Sequence, residues 1–156
     1  MNERIKCEKY LSKVMTADEA AKLIYPGATI GLSGFTPAGH AKAVPLAIAK
    51  RAEETGEKLD LTIMTGASVG DQIDGALTRA GAMKKRLPYQ TNSTVRNAIN
   101  AGEIEYFDMH LSQLAVWAKN GFFGDIDFAI VEVSGIDEEG HIIPSTSIGA
   151  ANTYID

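Results

Sequence analysis

Apolar positions recur along this chain in two rhythms, and the rhythms locate its elements. Short apolar runs at Ala28 to Ser33 and Leu59 to Met64 have the length of buried strands. Each runs into a glycine-rich loop, Gly34-Phe35-Thr36-Pro37-Ala38-Gly39 and Thr65-Gly66-Ala67-Ser68-Val69-Gly70. After each loop the spacing becomes helical. Ala41 to Glu54 places Val44, Ile48 and Ala52 on one face, and Asp71 to Ala80 forms a second helix that stops at Gly81. Upstream, Thr16-Ala17-Asp18-Glu19 is a capping box that opens a helix through about Ile24, ended by Pro26-Gly27. Downstream, Thr91 to Ala101 is a helix with Thr91 or Ser93 at its start and Gly102 at its end. A short segment from Glu105 to Met109 leads into a helix from His110 to Lys119. Ile126 to Val133 is the clearest strand, followed by a turn at Asp137 to Gly140 and by His141 to Ile143, which predicts a hairpin.

Strand, glycine-rich loop and helix in repetition mean βαβ units. The expected fold is therefore α/β, a mostly parallel sheet flanked by helices. In such sheets ligands bind in the loops at the carboxyl ends of the strands. No internal repeat, low-complexity segment or linker divides the chain, so residues 1–156 read as one domain. Ser147 to Asp156 carries no terminal signal, and the chain is expected to belong to a larger protein.

Composition narrows the class. The 156 residues are 45% hydrophobic and 22% charged, the balance of an ordinary globular domain. There is no apolar run of membrane-spanning length and no signal-peptide core after Met1, so no membrane association is expected and the cytoplasm is the expected location. The net charge of −5 argues against a nucleic-acid partner. The one basic cluster, Lys84-Lys85-Arg86, reads as a solvated turn before a strand. The single cysteine, Cys7, supports neither an internal disulfide nor a cysteine metal site. His40, His110 and His141 form no ligand-spaced pair, so no metal is expected.

Several familiar chemistries fail at particular residues. Gly34 and Gly39 have phosphate-loop spacing, but His40 and Ala41 stand where lysine and a hydroxyl residue are needed. A dinucleotide site needs an acid at the end of the second strand, which here ends in Met64-Thr65. Gly66-Ala67-Ser68-Val69-Gly70 fits the pattern of a nucleophile elbow, yet only His110 and His141 follow it, and His141 falls in a surface turn. What survives is an environment for anions and carbonyls. The two glycine-rich loops present backbone N–H groups at strand-to-helix junctions. Ser68 and Thr91 add hydroxyl donors, though Thr91 also reads as an N-cap and Ser68 as a turn residue.

Four long motifs then resemble one family. They are Ser33-Gly34-Phe35-Thr36-x-x-Gly39-x-x-Lys42-x-Val44-Pro45-x-Ala47; Thr65-Gly66-Ala67-Ser68-x-Gly70-x-Gln72-x-Asp74-Gly75; Arg96-Asn97-x-Ile99-Asn100-Ala101-Gly102-Glu103-x-Glu105-Tyr106-Phe107-Asp108-x-His110-Leu111; and Ile130-Val131-Glu132-Val133 with Gly140, Ile143-Pro144 and Ser147. Together, from about Arg4 to Asp156, they resemble the amino-terminal domain of acetyl-CoA hydrolase/transferase proteins, class I CoA-transferases of NagB/RpiA-like fold. The resemblance implies that CoA moves between an acyl-CoA, such as succinyl-CoA or acetyl-CoA, and a small carboxylate such as acetate. A glutamate attacks the acyl-CoA carbonyl, and a glutamyl-CoA thioester follows the anhydride.

That glutamate belongs to a second, carboxy-terminal domain absent from these residues. No catalytic residue is therefore expected in this chain, and the chain alone is expected to be inactive. Glu132 reads as structural, within the strand Ile126 to Val133. Coenzyme A is implied as substrate, without a metal, and a homodimer is implied for the complete protein. Ser68 and Thr91 match family positions on the carboxylate or acyl side. Gly34, Gly39 and Asn97 are weaker candidates for the same cleft, while Arg96 reads as helix surface. His40 and Gln90 depart from relatives and bear on acyl preference. Hydrolysis of the acyl-CoA, or a non-catalytic carboxylate- or acyl-binding module, are the alternatives.

Overall fold

The computed structural model describes residues 2–155. A 3-10 turn at Asn2–Arg4 and helix α1 (Glu8–Leu11) precede helix α2 (Ala17–Leu23). The capping box forms: the Thr16 hydroxyl accepts from the Glu19 N–H at 3.2 Å, and Glu19 Oε2 accepts from the Thr16 N–H at 2.8 Å. Strand β1 (Thr29–Leu32), helix α3 (Ala43–Thr55) and strand β2 (Leu61–Met64) follow. The expected helix from Asp71 begins as a π-helical turn at Asp71–Gly75 and continues as α4 (Ala76–Arg79). Strand β3 (Met83–Leu87), helix α5 (Ser93–Asn100), strand β4 (Glu105–Tyr106) and helix α6 (Leu111–Lys119) come next. Strands β5 (Phe128–Ile130), β6 (Val133–Ile136) and β7 (Ile142–Pro144) and helix α7 (Ala151–Ile155) complete the order.

Five strands form one parallel sheet in the order β4-β3-β2-β1-β5, and β6 and β7 form a separate antiparallel hairpin. The α/β expectation holds. Ile30, Leu32, Leu61 and Ile63 point into a core shared with α2 to α5. Met64 and Leu87 point to the opposite face, where Leu114 of α6 and Tyr154 of α7 cover them. Gly31 lies directly under the Tyr154 ring, since a Cβ there would sit 2.6 Å from Tyr154 Cγ. No helix among the described residues is long and apolar enough to cross a membrane.

Three sequence expectations need correction. Lys84-Lys85-Arg86 is not a turn before a strand. It lies within β3, an interior strand, and Arg86 is 0% exposed. A bulge explains how three cations fit there. Leu61 pairs with Met83 but Thr62 pairs with Lys85, so one extra residue enters β3. Side chains alternate along a strand, so without the bulge Met83 and Arg86 would face opposite ways. With it, Arg86 falls beside Ile63 and turns toward the α2–α5 face.

The strand expected at Ile126 to Val133 is shorter. β5 has β1 as its neighbour, and that pairing ends at Leu32 with Ile130. Beyond that point no ladder partner remains; the chain breaks at Val131 and Glu132, then starts a hairpin with β7. Glu132 is therefore not in a strand. Finally, neither Thr91 nor Ser93 caps α5. Asn92 does, its side-chain oxygen accepting from the Thr94 and Val95 N–H groups at 2.9 and 3.3 Å.

Candidate functional site

Because β1, β2, β3 and β5 are parallel, their carboxyl ends share one edge, and the loops leaving them meet there. The 34–39 loop is tight. Phe35 N–H donates to the Ala38 carbonyl at 2.9 Å and Ala38 N–H donates back to Phe35 at 3.0 Å. Gly34 is required, because a Cβ there would lie 2.6 to 2.7 Å from backbone atoms of Ala38, Gly39 and His40. Thr36 takes φ +50°, a left-handed conformation that β-branched residues rarely adopt and that recurs at functional loops. From there its N–H donates to Ala67 O of the second loop at 3.0 Å. Its carbonyl meets His40 Nδ1 at 2.9 Å, so Nδ1 carries the proton. Gly39, at φ +68°, packs against Ser147, whose hydroxyl donates to Ala38 O at 2.7 Å.

The 65–70 loop closes on the first. A Cβ at Gly70 would sit 2.9 Å from His40 Cε1, so the imidazole wedges between the two loops. Beneath them lies a fully buried ion pair. Arg86 Nε donates to Asp74 Oδ1 at 2.7 Å, and its two terminal nitrogens donate to Leu87 O and, at 3.1 Å, to Ser68 O. Asp74 Oδ2 accepts from the Gly70 N–H at 3.0 Å. Four buried side-chain atoms lack a partner among the described residues: Ser68 Oγ, His40 Nε2, Gln90 Oε1 and the Tyr154 hydroxyl. A buried unpartnered polar atom is costly, so each one asks for an explanation. Burial pushes the Tyr154 phenol well above its ordinary pKa.

At the end of β5, Glu132 Oε2 accepts from Lys42 Nζ at 2.6 Å and Oε1 from the Ser145 hydroxyl at 3.1 Å. Lys42 Nζ also donates to His40 O at 2.9 Å, so this pair supports the first loop. The Lys42 hydrogen bond holds the Glu132 carboxyl below its ordinary pKa, against the opposing effect of burial. A lowered folded-state pKa stabilises above the unfolded value and is lost as pH falls through the folded one. Both side chains are about a third exposed or more, which limits the gain. Glu132→Gln is expected to flatten the acid limb of stability below about pH 4.3, the ordinary glutamate value. Urea melts between pH 3 and 7 check this, and an unchanged slope would remove the pair from the loop's support.

The residues singled out by sequence are only partly brought together. Gly34, Gly39 and Ser68 lie in the two interlocked loops, and Ser68 is 0% exposed. Thr91 follows the end of β3 and is exposed, next to Asn92, whose side chain reaches Asp71. Asn97 and Arg96 are exposed on α5, and among the described residues no side-chain hydrogen bond ties either to the loops. No histidine hydrogen-bonds Ser68 among the described residues, which leaves the elbow pattern without its base. Asp137, Glu139 and His141 could gather around an ion, but they are an ordinary polar turn of the hairpin, with Asp137 already accepting from the N–H groups of Glu139 and His141. Sequence reasoning missed Arg86 and Asp74. The signal was topological: two successive helices of a parallel βαβ fold need a strand between them.

A parallel α/β domain of this kind, with its loops gathered at the strand ends, is the architecture of CoA-transferases. The chain is similar to the glutaconate coenzyme A-transferase of Acidaminococcus fermentans, with TM-score 0.57 and 28% identity over 71% of this chain and 36% of that one. It also shares its fold with an acyl-CoA transferase of Escherichia coli O157:H7, with TM-score 0.58 and 17% identity over 69% of this chain and 22% of that one. Residues 1–156 match the acetyl-CoA hydrolase/transferase N-terminal domain, and the chain belongs to that family. Over 99% of its length it is 45% identical to a succinyl-CoA:acetate CoA-transferase of Clostridium kluyveri. Over 90% it is 43% identical to a propanoyl-CoA:succinate CoA transferase of Escherichia coli K12, and over 97% it is 34% identical to an acetyl-CoA hydrolase of Yarrowia lipolytica. It spans 29%, 29% and 31% of the length of these three relatives.

Proposed function

We propose that this chain is the substrate-side domain of an enzyme that transfers CoA between an acyl-CoA, such as succinyl-CoA or acetyl-CoA, and a small carboxylate such as acetate. The observation that carries the reading is the Ser68 hydroxyl, buried and unpartnered where two loops lock together at the strand ends. Its missing partner is a substrate oxygen, reached by a rotamer change of Ser68 or a small parting of the 34–39 loop. Thr91 is the second hydroxyl donor at this edge, with Gly34 and Gly39 shaping the wall and Asn97 at its periphery. A glutamate of a second domain attacks the thioester carbonyl and expels the CoA thiolate. The thiolate then attacks the resulting anhydride at the glutamyl carbonyl, releasing the first carboxylate and leaving glutamyl-CoA. An acceptor carboxylate runs the same steps in reverse. Donors aimed at the oxygens that become negative lower both barriers. The complete enzyme is a homodimer in this reading and works in the cytoplasm.

Hydrolysis is the second reading, supported by the 34%-identical relatives named acetyl-CoA hydrolases. The full-length product of the reading frame, incubated with acyl-CoA, is expected to gain a covalent CoA adduct outside residues 1–156, by intact-mass measurement. CoA released without an acceptor carboxylate favours hydrolysis, and no adduct with no turnover favours the binding module. Ser68→Ala is expected to raise the KM for the carboxylate about tenfold or more, the worth of one hydrogen bond to a charged group. Thr91→Val should act alike without loss of thermal stability, since Asn92 is the cap. Unchanged acetate and succinate kinetics in both variants would remove these residues from the site.

A further inference from the structure

We propose that the buried Arg86–Asp74 pair is the positioning device of this site, holding the 65–70 loop in the shape that presents Ser68 Oγ and the Val69 N–H together to a substrate oxygen. The inference rests on the proposed reading of Ser68 and adds the residues that set its geometry. The pair grips the loop on both sides of Val69. Arg86 donates to Ser68 O at 3.1 Å, and Asp74 accepts from the Gly70 N–H at 3.0 Å. In a trans peptide the carbonyl and the following N–H point in opposite directions. Holding the Ser68 carbonyl inward therefore turns the Val69 N–H out of the buried network, and no hydrogen bond occupies it among the described residues. The Ser68 hydroxyl is equally unoccupied. Two free donors on adjacent residues are what one carboxylate or developing oxyanion takes up.

The placement of Arg86 has one structural cause, the bulge in β3. Without that extra residue the guanidinium would face α6 and α7, away from Asp74 and the loop. Stability alone does not call for such a pair, because a buried ion pair is commonly replaced by apolar residues at no net cost. Unlike the Ser68 hydroxyl, the polar atoms of both side chains are already committed, to each other, to Ser68 O and Leu87 O and to the Gly70 N–H, so the pair acts through the loop.

The test uses the full-length protein and separates positioning from folding. In Asp74→Leu/Arg86→Met both charges are gone, and Tm is expected within about 5 °C of wild type. The kcat/KM for the carboxylate acceptor is expected to fall about 100-fold, mostly through KM, because a donor displaced by 1 Å costs that much. Adding Ser68→Ala to this double variant is expected to cost less than about twofold more, since the hydroxyl is already misplaced. Arg86→Lys gives an independent reading should the double variant not fold. It keeps the charge facing Asp74, but its single ammonium cannot hold Asp74, Ser68 O and Leu87 O in the fixed fork of a guanidinium, so KM rises while Tm is kept. A folded double variant or Arg86→Lys with wild-type KM overturns the inference and leaves the function of Ser68 standing. A wild-type protein that neither transfers CoA nor is stabilised against heat by acetate or succinate overturns the functional reading, and this inference with it.

Discussion

Arg86→Met is expected to lower the unfolding free energy by about 3–5 kcal/mol, the cost of leaving the Asp74 carboxylate buried without its partner. Among the described residues Asp74 keeps only the Gly70 N–H as a hydrogen-bond donor to its carboxylate, and Ser68 O and Leu87 O each lose a donor. The apolar methionine fits the volume and changes no surface contact, so the loss reports the interior charge. Urea unfolding of the wild-type and variant proteins measures it. A loss below about 1 kcal/mol would mean that water or a shifted side chain reaches Asp74, and that the pair is not sealed as its 0% exposure states.

Gly34→Ala should damage the site more than the fold. The added methyl meets Ala38 O, Gly39 C and His40 N at 2.6 to 2.7 Å, all backbone, and no flexible side chain can step aside. The loop between them is closed by reciprocal hydrogen bonds and pinned to Ala67, so the strain passes to the neighbouring loop that carries Ser68. Overpacking of this kind costs about 1–3 kcal/mol. The expected loss in kcat/KM is larger, about 100-fold, because the displaced element carries the donors. Paired melts and steady-state kinetics on the full-length protein check the split. Activity retained in a variant that melts several degrees lower would show that the 34–39 loop does not shape the site.

How much of this was legible depends on the range of each interaction. The Thr16–Glu19 capping box rests on contacts within a few residues, while the face of α3 through Ile48 and Ala52 and strands β1 and β2 are marked by local apolar patterns, and each lies close to where its pattern predicts it. The site was legible in part. The two glycine-rich loops were recognisable as strand-to-helix junctions, and Ser68 stood out as a donor within one of them. Its buried, unpartnered state could not be read, because it is set by tertiary packing of the 65–70 loop, which Thr36 meets at Ala67 and Arg86 holds at Ser68 O. The cap of α5 went to Thr91 or Ser93 because three polar residues in a row, Thr91, Asn92 and Ser93, suit the position equally. In the fold Asn92 is the residue whose extended backbone lets its side-chain oxygen accept from the Thr94 and Val95 N–H groups.

By itself the sequence determined the α/β class, the helix starts and stops that are locally encoded, the loops at the strand ends and, through its long motifs, the family. Only the tertiary structure decided that Lys84-Lys85-Arg86 is an interior strand, that Glu132 sits past the end of one, and that Arg86 meets Asp74. The physical reason is the same in each case. A strand exists where a neighbour offers backbone partners, and a charge is buried where an opposite charge and free carbonyls await it. Both conditions are set by residues distant in the chain, and a one-residue bulge between them reverses which face a side chain takes.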